Sequence, residues 1–226
     1  MIVNRIIALV IGYICGLFLS GYAYSKSKKQ DITKMGSGNA GTTNTFRIYG
    51  WKGGLLTLIG DVSKPIIAII VTWLIFHNSQ YETVRESVRL LEFYAGFGCI
   101  LGHNFPFYMK FKGGKGIACT GGLVLAFCPI VAPISLSIFI LTVALTKYVS
   151  LGSILAVISF FVQLVIYGEL GILNLTAAYK IEIYIVAGIM TALAVVRHKE
   201  NIKRLLSGTE NKFSFSKQKD GQKEGK

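Results

Sequence analysis

Residues 117–145, IACTGGLVLAFCPIVAPISLSIFILTVAL, form the longest apolar run of the chain. A helix crosses a bilayer with roughly 20 apolar residues, so this run is too long for one comfortable span. Pro129 and Pro133 interrupt it. Proline removes a backbone donor and clashes with the preceding turn, which breaks or kinks a helix. The run therefore reads as two short crossings, 117–129 and 132–146, with a single kinked helix as the alternative. On either side lie further apolar runs at 2–24, 55–76, 88–107, 151–167 and 181–196. Each meets or approaches the spanning length. Of the 226 residues, 52% are hydrophobic and only 15% charged, with a mean hydropathy of +0.55. A soluble domain carries about a quarter charged residues. The pattern is that of an all-α, polytopic transmembrane bundle.

The net charge of +13 could suggest nucleic acid, but its placement argues for topology instead. Lys26, Lys28, Lys29, Lys34, Arg47 and Lys52 lie between the first two apolar runs, and Lys110, Lys112 and Lys115 follow the third. The segment from Arg197 onward is richest of all. Basic residues beside spans mark cytoplasmic loops. With segment 25–52 inside, the N-terminus is outside and the loop 77–86 returns outside. A single crossing at 117–145 would strand the basic tail outside, whereas two crossings place Lys147 and the tail inside. The count becomes seven, with the C-terminus cytoplasmic and Arg5 a minor exception. Residues 2–21 resemble the apolar core of a signal peptide, but the spans that follow favour a retained first helix. Cys15, Cys99, Cys119 and Cys128 lie in or beside apolar runs with no C-x-x-C pair, so neither metal site nor disulfide framework is expected.

Four polar segments then fall on one side of the membrane. The first, Gly36-Ser37-Gly38-Asn39-Ala40-Gly41-Thr42-Thr43-Asn44, closes on Arg47. Alternating glycines let backbone N–H groups converge on an anion, and Arg47 adds a fixed cation able to bind in bidentate fashion. The second is Gly102-His103-Asn104-Phe105-Pro106 with Phe111-Lys112-Gly113-Gly114-Lys115-Gly116. It lacks Walker A spacing, yet sets two lysines around paired glycines at a helix start, a natural anion site. The third, Lys147-Tyr148-Val149-Ser150-Leu151-Gly152-Ser153, offers hydroxyls at a hinge. In the fourth, Arg197-His198-Lys199-Glu200-Asn201, the His198 and Asn201 side chains share a helix face, with Arg204 adjoining. Asp61 and Lys64, three apart within an apolar run, read as a pair bracing the first loop. The sequence His77 to Glu82 only faintly mimics an H-x-x-x-x-D acyltransferase motif and lies on the outer side. A transporter of organic phosphates would use the same loops without chemistry, but no inverted repeat is visible.

These four segments, in this order and spacing from the first helix to Glu210, resemble the bacterial integral-membrane acyl-phosphate:glycerol-3-phosphate acyltransferases. Thr42 stands where that family typically has Ala, and Pro65 where Gly is usual after the lysine. The resemblance implies seven helices with the N-terminus outside, in the cell membrane, and an active site on the cytoplasmic side. It implies transfer of a fatty acyl group from acyl-phosphate to the 1-hydroxyl of glycerol 3-phosphate, giving lysophosphatidate and phosphate for phospholipid synthesis. No cofactor, nucleic acid or obligate protein partner is implied; the partners are the two substrates and membrane lipid. Residues 1–210 form the expected catalytic domain, and 211–226 a basic, disordered tail. Lys115, His198 and Asn201 are the expected catalytic residues. Ser37, Gly38, Asn39, Gly41, Asn44, Arg47, His103, Lys112, Gly113, Gly114, Gly116, Ser150, Ser153 and Arg197 complete the expected substrate shell.

Overall fold

In the computed structural model, which describes residues 1–213, the run 117–145 breaks where its prolines lie. Helix α6 (Ile117–Phe127) ends at Cys128, whose backbone leaves helical geometry, and a short 3-10 turn, Pro129–Val131, leads into α7 (Ala132–Thr146). The other helices are α1 (Ile2–Gly16), α2 (Ser20–Ser27), α3 (Thr42–Phe76), α4 (Glu82–Glu86), α5 (Val88–Asn104), α8 (Val149–Glu169), α9 (Ala177–Arg197) and α10 (Lys199–Leu206). No strand occurs among the described residues.

The two ends of the 117–146 segment meet at one end of the bundle. Lys115, just before α6, donates to Asn201 on α10, and Asn201 donates to Glu210 at 2.8 Å. Glu210 also accepts from Ser150 at the start of α8, and the Phe213 N–H reaches the carbonyl of Lys147 at the end of α7. A single kinked span would have separated these ends by the bundle's full length. The segment is a hairpin, and with α1, α3, α5, α8 and α9 it makes seven apolar helices. The opposite end joins Met1 to Ser87, Arg5 to Glu182 at 2.6 Å, and Thr176 to the Glu86 carbonyl. Chain start and residue 213 therefore lie at opposite ends. Five helical segments are long and apolar enough to cross a membrane; α5 is slightly shorter and α6 has 11 residues.

Two boundaries differ from expectation. The run 2–24 is not one helix: it breaks at residues 17–19, because the Leu17 carbonyl accepts from Tyr108 Oη and the Phe18 carbonyl from Lys64 Nζ. Carbonyls turned outward to these donors cannot also serve the next helical turn. The run 55–76 is the later part of α3, which starts at Thr42 and bends at Gly50.

Packing follows membrane rather than aqueous logic. Small residues bring α1 and α5 into close backbone contact, with Gly12 against Ala95 and Gly16 against Cys99. Phe93, Phe127, Phe160 and Met190 fill the core between α5, α6, α8 and α9. Ile140, Leu141 and Leu145 of α7 point outward instead, where lipid replaces water as the solvent. The tail expected at 211–226 lies, from residue 214, outside the described residues.

Candidate functional site

The site forms where the starts of α3, α6, α8 and α10 meet. The first wall is the glycine loop ahead of α3. Asn44, 2% exposed, shapes it: its Oδ1 accepts the Ser37 N–H at 3.0 Å, and its Nδ2 donates to the carbonyls of Met35 and Asn39. Gly36 has a left-handed backbone, φ +56°, and any Cβ there would overlap Asn44 Oδ1. The Gly41 N–H is taken by Asn39 Oδ1 and the Gly38 N–H by the Met35 carbonyl. The converging N–H groups expected for an anion nest are thus largely engaged within the loop, because Asx side chains compete for them locally. The loop exposes Gly36, Ser37 and Gly38 and leads into the half-buried first turn of α3, where a helix leaves its N–H groups without internal partners. Arg47 lies one turn along.

The second wall is residues 104–116. The N–H groups of Gly113 and Gly114 bond the carbonyls of Asn104 and His103 at 3.1 and 3.0 Å. Their own carbonyls accept from one guanidinium nitrogen of Arg197, whose cationic carbon lies 5.3 Å from the Phe105 ring centroid. Gly114 sits on the ring of His103, where a Cβ would overlap Nε2. His103 is 3% exposed and is held by Lys64, so the structure sets it behind this loop rather than on its open side. Gly116, with φ +79°, begins α6 above Asn104. Asn104 is fully buried and its amide has no partner among the described residues.

Between the walls the Lys115 ammonium donates to Asn201 Oδ1. Glu210 is the counter-charge, a residue the sequence reading did not single out as a ligand. Its carboxylate accepts from Ser150 at 3.1 Å, Asn201 at 2.8 Å and Arg204 at 2.8 Å. The visible signal was a lone acid closing a basic segment, but nothing in spacing tied it to Ser150. Ser153 donates to the Val149 carbonyl of its own helix, and Lys112 is exposed, so neither joins the cluster.

Burial pushes the Lys115 pKa down to about 8; Glu210 opposes this, while Arg204, Arg197 and Arg47 reinforce it. His198, 3% exposed, is pushed down to about 4 by burial and then by Lys115. At neutral pH its ring is uncharged. Nδ1 lies 2.8 Å from the Ala194 carbonyl, so it carries the proton, and Nε2 holds a lone pair. The arrangement can bind anions through Lys115, Arg47 and Arg197, and can accept a proton at His198. Among the described residues, no three of His, Cys, Asp and Glu gather to hold a metal ion.

Comparisons with known proteins place the chain in a family. The sequence model of the Glycerol-3-phosphate acyltransferase family matches residues 6–208. The chain is 36% identical over 209 residues to the glycerol-3-phosphate acyltransferase of Thermoanaerobacter pseudethanolicus, covering 92% of this chain and 95% of that protein. It is 36% identical over 220 residues to that of Clostridioides difficile, covering 96% and 99%. Two crystal structures of PlsY, an integral membrane glycerol 3-phosphate acyltransferase, superpose with TM-scores of 0.79 and 0.77. One is the glycerol 3-phosphate form and the other the lysophosphatidic acid form. Each is 32% identical and covers 93% of this chain and 96% of its own. By sequence and by fold, the chain belongs to the glycerol-3-phosphate acyltransferase family.

Proposed function

We propose that this protein transfers a fatty acyl group from acyl-phosphate to the 1-hydroxyl of glycerol 3-phosphate, yielding lysophosphatidate and inorganic phosphate. One observation carries the reading: loops distant in sequence bring Lys115, Arg47, Arg197 and a neutral His198 together at the polar end of a multi-pass membrane bundle. The PlsY structures hold the acyl acceptor and the acylated product in turn, which supports the acceptor half. The donor half rests on chemistry. All four cysteines are helical or helix-capping, three of them are buried, and the chemistry calls for no thiol nucleophile. An acyl-phosphate is a mixed anhydride and needs none.

The hydroxyl oxygen attacks the acyl carbon, the carbon–oxygen bond to phosphate breaks, and phosphate leaves with the electron pair. The lone pair on His198 Nε2 accepts the hydroxyl proton. Lys115, Arg47 and the start of α3, with Ser37 and Gly38, hold the two phosphates. Preorganised donors of this kind stabilise charge as it develops. Asn201 and Ser150 steady the cluster through Glu210, and Asn39, Gly41 and Asn44 keep the loop in shape. Gly113, Gly114 and Gly116 carry Lys115 on a turn clamped by Arg197.

The polar end belongs inside the cell. Lys26, Lys28, Lys29, Lys34, Lys110, Lys112, Lys147, Lys199 and Lys203 gather there, whereas the opposite end is balanced by Glu82, Glu86, Glu169 and Glu182. The test of function supplies acyl-phosphate or acyl-CoA of one chain length to protein in lipid nanodiscs with glycerol 3-phosphate. Lysophosphatidate should form from acyl-phosphate alone, and should still form when all four cysteines are replaced. Equal rates from acyl-CoA would overturn the donor assignment.

A further inference from the structure

Lys64 lies within the membrane-spanning part of α3, 5% exposed, and contacts none of the cationic cluster directly. Its ammonium makes three contacts, each of 2.9 Å: the Phe18 carbonyl, Asp61 Oδ1 and His103 Nδ1. An ammonium accepts nothing, so it donates to both the Phe18 carbonyl and His103, with Asp61 as its ion-pair partner. His103 Nδ1 is then an acceptor, and the neutral ring carries its proton on Nε2. That nitrogen lies under Gly114, whose N–H bonds the His103 carbonyl, one residue before Lys115.

The Phe18 contact leads to the other wall. Phe18 lies in the break between α1 and α2, and α2 packs on the loop ahead of α3: Leu19, Ile32 and Ala40 form one buried cluster. A mere counter-charge for Asp61 would require neither contact. Placing an ammonium at this depth is costly, which makes its two directed hydrogen bonds informative.

We propose that Lys64 is a positioning residue that sets the two anion-binding loops in register, one through His103 and Gly114, the other through Phe18 and α2. The proposal rests on the acyl transfer inferred above. It also assigns the two buried histidines of the polar end opposite tautomers, Nε2–H at His103 and Nδ1–H at His198.

The chain has three histidines, so ¹⁵N-imidazole spectra in nanodiscs can be assigned with His77→Gln and His198→Gln variants. In the unmodified protein, His103 should show an unprotonated Nδ1 and a protonated Nε2 across neutral pH. A protonated Nδ1 overturns the proposal, whatever the variants do. The second arm is Asp61→Asn/Lys64→Met, which removes both charges and leaves neither buried alone. Its elution and thermal unfolding should stay close to those of the unmodified protein. Its KM for glycerol 3-phosphate should rise and kcat/KM fall about 100-fold, the scale of a ~1 Å misplacement. A folded double variant with near-normal kinetics would reduce Lys64 to a brace and refute the positioning role. Absence of turnover in the unmodified protein would sink the acyl-transfer reading instead, while the tautomer would still be read.

Discussion

Raising the pH from 7 to 9 should lower kcat/KM for glycerol 3-phosphate about 10-fold, through Lys115 alone. Burial brings its pKa to about 8. About nine-tenths of the free enzyme then carries the ammonium at pH 7 and about one-tenth at pH 9. The ammonium is the form that binds phosphate, so kcat/KM, which reports the free enzyme, follows that fraction. Bound phosphate favours the charged amine, so kcat should stay level across the same range. His198, near 4, titrates outside this window. Stability must move the other way. Lys115 has a folded pKa below its unfolded value, so the unfolded chain binds more protons between about 8 and 10.5 and the fold gains stability as pH rises. From 10.5 to about 8 the contribution is at most about 3 kcal/mol. Falling activity with rising stability separates titration of Lys115 from alkaline unfolding. Initial rates between pH 6.5 and 9.5, beside thermal unfolding at each pH, make the test. A flat kcat/KM profile would refute the reasoning, as would an unchanged alkaline limb in an active Lys115→Arg variant, whose guanidinium stays charged.

Arg47→Ala should reduce kcat/KM about 100-fold in folded protein, the scale of losing one preorganised donor; near-normal turnover would remove Arg47 from the phosphate shell. Asn44→Ala leaves the Ser37 N–H and two loop carbonyls without their partner. It should lower stability by about 1–3 kcal/mol and raise KM, as read by denaturant unfolding and kinetics. On a background lacking the native cysteines, a cysteine at position 147 or 150 should resist labelling by an impermeant reagent from the external face. Labelling there would contradict an inward-facing polar end.

Much of the fold was legible because its determinants act locally. Hydropathy reports each apolar run independently of its neighbours, and Pro129 breaks its helix through its own ring and missing donor. The gathering of lysines at one end followed from counting crossings. The four polar segments were recognisable as short strings. Other features depend on residues far apart in sequence. Lys115 meets Asn201 across 86 positions and Ser150 meets Glu210 across 60. The break at residues 17–19 needs donors from Tyr108 and Lys64. His103 lies behind its loop rather than in it, and Asn44 bonds the backbone of its own loop. A string of residues states which donors and acceptors exist. Only the relative register of packed helices decides which of them come within 3 Å of one another, and whether water is there to take their place.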